Sequence, residues 1–144
     1  MRLINEIIVH CSATIEGQDV RAKDIKQYHV NQRGWRDIGY HYIIDLDGTV
    51  ERGRPISQPG AHCLGHNAHS IGVCYIGGLD RSGKPKDTRT AAQRQALLKL
   101  ITKLTTVYRC ATHGHNEYAN KACPCFDAKN EYTNIIKQIR EKLR

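Results

Sequence analysis

The stretch Glu6-Ile7-Ile8-Val9-His10 is a short run of β-branched, apolar residues that ends in a histidine. Such a run is typical of a strand that is buried on both faces of a sheet. His10 stands at the carboxyl end of the run, where ligand groups tend to lie in α/β sheets. The stretch therefore predicts a buried strand with a candidate functional histidine at its end.

A helix and a β-hairpin are predicted next along the chain. The spacing of apolar residues over residues 21–32 indicates an amphipathic helix, which Gly34 ends. Two extended runs, residues 39–44 and residues 49–52, flank Asp47-Gly48. Because Asp-Gly is a preferred two-residue hairpin turn, these runs are predicted to pair as antiparallel strands.

The second half of the chain predicts two more strands and two more helices. Residues 70–76 resemble another buried strand, and a short strand is expected at residues 110–112. Thr90 with Gln93 forms a capping box ahead of a long helix. Asp127 can cap a final helix whose inward face is predicted to carry Ile135, Ile136, Ile139 and Leu143. Residues 11–17 and 77–87 are predicted to be loops, the second of them exposed.

This order of elements indicates an α/β fold in one domain that spans residues 1–144. A central mixed β-sheet is expected, with about three α-helices packed over it. The length of 144 residues suits a single domain with a real hydrophobic core.

The chain is strongly basic, with 22 Lys and Arg residues against 14 Asp and Glu residues, for a net charge of +8. This balance suits a polyanionic partner such as nucleic acid, an anionic surface or bacterial cell wall. Nucleic acid is disfavoured because no arginine-rich block is present and aromatic residues make up only 6%. Apolar runs are short and no signal peptide is recognisable, which predicts cytoplasmic synthesis without membrane insertion. The six cysteines are therefore interpreted as free thiols or metal ligands.

Candidate metal ligands lie close together near the carboxyl terminus. His115 and Cys123 are eight positions apart and offer an imidazole and a thiolate, both preferred zinc ligands. His113 and Cys125 are neighbours of that pair. Spacing alone leaves two sites equally open: a catalytic zinc site with a free position, or a closed structural site with all four residues.

Other histidines have simpler interpretations. His29 lies on the apolar face of the first predicted helix, where a packed core histidine is the favoured interpretation. His62, His66 and His69 are close in sequence and could form a second metal cluster. A solvated loop with scattered histidines is favoured over that cluster.

Five motifs together resemble the zinc-dependent N-acetylmuramoyl-L-alanine amidases. The resemblance is strongest to the branch of phage lysozyme-amidases and their animal relatives, the peptidoglycan recognition proteins. It extends from about Ile7 to Asp127, with the motifs in the order of that family. They are Val9-His10-Cys11-Ser12-Ala13-Thr14, Gly34-Trp35-Arg36-Asp37-Ile38-Gly39-Tyr40-His41, Asp47-Gly48-Thr49-Val50-Glu51-Arg52-Gly53-Arg54, Ser70-Ile71-Gly72-Val73 and Lys121-Ala122-Cys123-Pro124.

The resemblance implies roles for individual residues. It implies one Zn²⁺ per chain, bound by His10, His115 and Cys123, and this choice favours the open site over the closed one. It implies that Tyr40 and Lys121 form the catalytic pair. It also implies that a sixth residue of the site, His62, lines the substrate groove.

The implied function is hydrolysis of the amide bond between N-acetylmuramic acid and L-alanine in peptidoglycan. A monomeric, bacteriolytic enzyme of the endolysin type is expected, which reaches the cell wall after release or export. The alternative is a peptidoglycan-binding module without catalytic activity. In the resembling family such modules usually lack the cysteine ligand, so the presence of Cys123 favours the enzyme.

Overall fold

The computed structural model describes residues 2–143, which form seven strands and three α-helices. The strands are β1 (Glu6–Cys11), β2 (Thr14–Ile15), β3 (Tyr42–Ile44), β4 (Val50–Arg52), β5 (Ser70–Tyr75), β6 (Gly78–Leu79) and β7 (Ala111–Gly114). The helices are α1 (Ala22–Arg33), α2 (Ala91–Tyr108) and α3 (Ala128–Lys142). Among residues 2–143, no helix has the length and apolar character needed to cross a membrane.

Five of the strands form the main sheet, in the order β4-β3-β5-β1-β7. Strand β1 lies between β5 and β7 and is parallel to both, whereas β3 and β4 are antiparallel. The β3–β4 pair is the predicted hairpin around Asp47-Gly48. Residues Ile7 to Cys11 of β1 are buried, as expected for a strand that is covered on both faces. The prediction of a central mixed sheet with three helices is confirmed.

Helices cover both faces of this sheet. Since side chains alternate along a strand, Ile7 and Val9 of β1 face one side and His10 faces the other. Ile7 and Val9 belong to the larger core cluster, together with Leu97 and Ile101 of α2. A smaller cluster on α1 and its neighbours holds Ile25, Ile38, Ile43 and Ile76. His10 thus points away from α2 and α3, into the half of the molecule that contains α1.

Local signals for helix ends are confirmed by hydrogen bonds. The Thr90 hydroxyl accepts from the Gln93 N–H at 3.0 Å, and the Gln93 side chain accepts from the Thr90 N–H at 2.9 Å. Gln93 also donates to the carbonyls of Ile44 and Ile76, which ties α2 to the sheet. Asp127 caps α3 through the Asn130 N–H at 3.1 Å.

Two predicted loops contain a second, two-stranded sheet that the sequence did not reveal. Strand β2 pairs in parallel with β6, and Gly77 and Gly78 are buried rather than exposed. Both glycines have positive φ angles, of 130° and 104°. A Cβ on Gly78 would collide with the Cys11 sulfur, so glycine is required for this close approach.

The inward face of α3 differs in part from the prediction. Ile136 is buried, but Leu143 lies after the end of the helix and is 59% exposed, so its predicted inward position is wrong. Tyr132, one turn before Ile136, is buried at 3% exposure and fills part of the core instead. His29 is a buried histidine, as predicted, and its Nδ1 accepts a hydrogen bond from the Gly39 N–H at 2.9 Å.

Candidate active site

The sheet topology brings His10 and His115 together. His10 lies near the carboxyl end of β1, and His115 follows the last residue of the neighbouring parallel strand β7. Val9 pairs with Gly114 in the register of these strands, so the two histidines occupy equivalent positions at one edge. Their Nδ1 atoms are 3.2 Å apart. This edge is where α/β sheets place ligand-binding groups.

Cys123 reaches the same point from the segment that follows a short 3-10 helix, His115–Glu117. Its sulfur lies 3.9 Å from Nδ1 of His10 and accepts a hydrogen bond from the Cys11 N–H at 3.2 Å. The donor atoms of His10, His115 and Cys123 all lie within 4.8 Å of one another. The structure therefore brings together the three residues predicted as metal ligands.

The arrangement fits a tetrahedral zinc ion. Zinc–nitrogen bonds of about 2.0 Å and zinc–sulfur bonds of about 2.3 Å place two nitrogen ligands about 3.3 Å apart. The same geometry places a nitrogen and a sulfur ligand about 3.5 Å apart. The observed separations from Nδ1 of His10 are 3.2 Å to nitrogen and 3.9 Å to sulfur, so small movements would suffice.

Burial keeps the imidazoles neutral, as metal ligation requires. Burial, followed by the neighbouring His62, His115 and Lys121, lowers the pKa of His10 well below its usual value. Burial, and then the charge of Lys121, also lowers the pKa of His115. The lone pairs of both rings are consequently available at neutral pH.

The two predicted catalytic residues lie beside this cluster. The ring centroid of Tyr40 is 5.2 Å from that of His10. Burial, and then the nearby Cys74 and Cys123 thiols, raises the pKa of Tyr40 well above its usual value, so the phenol keeps its proton. Lys121 is exposed, and its positive charge contributes to lowering the pKa of both histidines of the cluster.

His62 contacts Nε2 of His10, not the Nδ1 atom that faces His115 and Cys123. Its Nδ1 is 2.7 Å from Nε2 of His10, and its Nε2 is 3.2 Å from the Ser70 hydroxyl. The His62 residue is only 9% exposed, and burial lowers its pKa to about 3. The groove-lining role of His62 stays a prediction.

The alternative metal sites are not assembled. His113 bonds to Glu117 at 2.9 Å, and the Cys125 sulfur bonds to the Gly78 carbonyl at 3.3 Å. Within residues 2–143, His10, His115 and Cys123 are the one group of three or more potential ligands in mutual reach. Residues 2–143 therefore form neither the closed four-ligand site nor the second histidine cluster.

His66 and His69 have separate partners. Nδ1 of His66 bonds to Glu6 at 2.9 Å, and Nδ1 of His69 bonds to the Leu3 carbonyl at 3.1 Å. Sequence reasoning also missed Ser70, the polar partner of His62. Ser70 belongs to one of the five family motifs, but its contact with His62 forms only in the folded chain and could not be predicted from the motif.

Comparisons with known proteins find relatives over most of this chain. The N-acetylmuramoyl-L-alanine amidase family matches residues 1–126. The endolysin of Klebsiella phage KP32 is 48% identical over 126 residues, which cover 87% of this chain and 83% of the relative. The endolysin of Escherichia phage T7 is 49% identical over 124 residues, which cover 85% and 82%.

A solved structure also matches. The endolysin N-acetylmuramoyl-L-alanine amidase LysCS of Clostridium intestinale superposes with a TM-score of 0.75 at 30% identity. The match covers 97% of this chain and 83% of that one. Together, the family match over most of the sequence and the identity to two phage endolysins show that this chain belongs to the N-acetylmuramoyl-L-alanine amidase family.

Proposed function

We propose that this chain is a bacteriolytic amidase that uses zinc held by His10, His115 and Cys123. Its reaction is hydrolysis of the amide bond between the lactyl group of N-acetylmuramic acid and L-alanine of the stem peptide. The observation that carries the proposal is the convergence of two imidazole nitrogens and one thiol at the carboxyl edge of β1 and β7. Membership of the amidase family supplies the reaction.

The donor set favours a catalytic rather than a structural site. Three protein ligands occupy three of the four tetrahedral positions and leave one free, which is typical of catalytic zinc. Bound zinc supplies a Lewis acid and lowers the pKa of water to about 7. The Cys11 N–H donates a hydrogen bond to the Cys123 sulfur at 3.2 Å, which helps to hold this ligand atom beside the two histidines.

Tyr40 and Lys121 are proposed to act on the substrate carbonyl. Attack on an amide builds negative charge on the carbonyl oxygen, and fixed donors stabilise that charge. Tyr40 remains protonated at neutral pH and can donate its phenol hydrogen. Lys121 is exposed beside the ligand cluster, so its ammonium group can approach a bound substrate. Loss of one such donor typically reduces the rate by about 100- to 1000-fold.

We also propose that residues 1–144 act as one amidase domain and as a monomer. All three ligands come from a single chain. Helix α3 lies beyond the family match, yet it buries Ala128 and Tyr132 in the same core. The proposed partner is peptidoglycan, whose carboxylates suit the net charge of +8. The chain is proposed to be synthesised in the cytoplasm and to reach the wall after release or export.

The test is the release of new amino termini from purified peptidoglycan, measured with and without a chelator. The expected result is new L-alanine amino termini, lost on chelation and restored by added zinc. Chelator treatment followed by magnesium instead of zinc is the matched control and should not restore activity. Binding to sacculi without any release of amino groups would refute the enzyme and indicate a recognition module.

A further inference from the structure

The two ring nitrogens of His10 face different partners. Nδ1 is the atom turned towards the ligand cluster, 3.2 Å from Nδ1 of His115 and 3.9 Å from the Cys123 sulfur. Nε2 faces the protein interior, 2.7 Å from Nδ1 of His62. A nitrogen that binds a metal must present a lone pair, so a neutral His10 must carry its proton on Nε2.

We propose that His62 is a positioning residue that holds His10 in the tautomer able to bind metal through Nδ1. His62 acts by accepting a hydrogen bond from the Nε2–H of His10. At 2.7 Å this contact is short for a nitrogen–nitrogen pair, so one atom must be a donor and the other an acceptor. This inference rests on the proposed zinc site and adds the residue that orients its buried ligand.

Ser70 fixes the orientation of His62 in turn. Nε2 of His62 is 3.2 Å from the Ser70 hydroxyl, and Ser70 is fully buried. If Nε2 of His62 donates to this oxygen, its Nδ1 is left as the acceptor that His10 needs. The protons are therefore ordered in one direction, from His10 to His62 and from His62 to Ser70.

The fold makes space for the His62 ring in this position. A Cβ on Gly72 of strand β5 would lie 2.6 to 2.9 Å from three atoms of the ring. A Cβ on Gly60 would lie 2.6 Å from Cδ2 of the same ring. A side chain at either position would therefore collide with the ring where it now lies.

The loop that carries His62 is also anchored. The backbone N–H groups of His62 and Cys63 both donate to the side-chain oxygen of Asn67, at 2.9 and 3.0 Å. The ring itself lies between those of His10 and His41, at centroid distances of 4.8 and 5.9 Å. With only 9% of the residue exposed, His62 offers little surface to a substrate, which favours an action through His10.

The first test measures the tautomers in the unmodified, zinc-free protein. Nitrogen-15 NMR distinguishes protonated from bare ring nitrogens. The signals are assigned by comparison with variants in which one histidine at a time is replaced. We expect bare Nδ1 and protonated Nε2 on both His10 and His62. A His10 ring protonated on Nδ1, or averaging equally between the two tautomers, would overturn the inference without any substitution in His62.

The second test measures zinc affinity by chelator competition. His62→Leu removes the acceptor and should weaken zinc binding by about 10- to 100-fold, the usual effect of losing an outer partner of a histidine ligand. His62→Asn can place its side-chain oxygen near the former Nδ1 and should retain most of the affinity. His69→Asn, on the same loop but exposed, is the matched control and should bind zinc normally.

The outcomes separate this inference from the proposed function. If the wild-type chain binds no zinc, the proposed metal site itself is wrong. If the wild type binds zinc and folded His62→Leu binds it equally tightly, the positioning role alone is wrong. Should His62→Leu fail to fold, the NMR measurement on the unmodified chain decides the question.

Discussion

Arg89 is predicted to hold the segment that contains Cys123 against the rest of the molecule. Its side chain is only 1% exposed and pairs with Glu131 of α3 at 2.6 Å and with Asp87 at 2.9 Å. The guanidinium also lies 3.4 Å from the ring centroid of Phe126, three residues after Cys123. One buried cation thus connects the loop before α2, the helix α3 and the chain that carries a proposed zinc ligand.

Replacement of this cation should be costly. Arg89→Ala leaves Glu131 without this partner and Asp87 with only the exposed Arg94. Breaking a buried ion pair typically lowers the free energy of unfolding by about 3–5 kcal/mol. Because the Asp87 and Glu131 side chains are 25% and 41% exposed, water can partly resolvate them, so the lower end is expected. About 3 kcal/mol in a chain of this length corresponds to a fall in Tm of roughly 12 °C.

Arg94→Ala is the matched control for this change. Arg94 bonds to the same Asp87 at 3.1 Å, but its side chain is 50% exposed. An exposed pair contributes about 0–1 kcal/mol, so Tm should fall by about 4 °C or less. The assay is thermal and urea unfolding followed by circular dichroism. If Arg89→Ala lowers Tm no more than Arg94→Ala does, the proposed role of the buried cation is refuted.

Two further predictions concern catalysis and pH. Tyr40→Phe and Lys121→Ala should each keep zinc but reduce turnover by about 100-fold or more, mainly in kcat. Steady-state kinetics together with metal analysis would measure both effects. Normal turnover of either zinc-loaded variant would contradict the role of that residue. Burial lowers the pKa values of His29 and His41 from 6.5 to about 4. The unfolded chain therefore binds more protons below pH 6.5, and stability that is complete above this pH is lost as pH falls towards 4. Urea unfolding should show that the free energy of unfolding falls by about 3 kcal/mol per histidine between pH 6.5 and pH 4. His29→Gln should remove the His29 share of this pH dependence. An unchanged pH dependence in His29→Gln would contradict the assignment to His29.

Features determined by neighbouring residues were predicted well. The apolar run before His10, the Asp47-Gly48 turn and the Thr90–Gln93 capping box each act within a few residues of sequence, and each appears in the structure. The β2–β6 pair was missed because two-residue strands show no periodicity. It depends on the close approach of Gly78 to Cys11, which only the folded chain creates.

The candidate site, like the fold, could be predicted only in part from the sequence. Spacing alone could not choose between His115 with Cys123 and a site that also included their neighbours, and the family resemblance made that choice. The structure gives a physical reason: His113 bonds to Glu117, while His115 lies at the strand edge beside His10. The partnership of His10 with His62 joins residues 52 positions apart and has no signal in the sequence.

The coordination of bound zinc tests the central claim most directly. X-ray absorption of the zinc-loaded protein at neutral pH reports the number and type of ligand atoms. The proposed site predicts two imidazole nitrogens at about 2.0 Å, one sulfur at about 2.3 Å and one further light atom. Cys125→Ser should leave this spectrum unchanged, whereas Cys123→Ser should remove the sulfur. Two sulfurs in the wild type, or a sulfur that disappears with Cys125 and not with Cys123, would contradict the account.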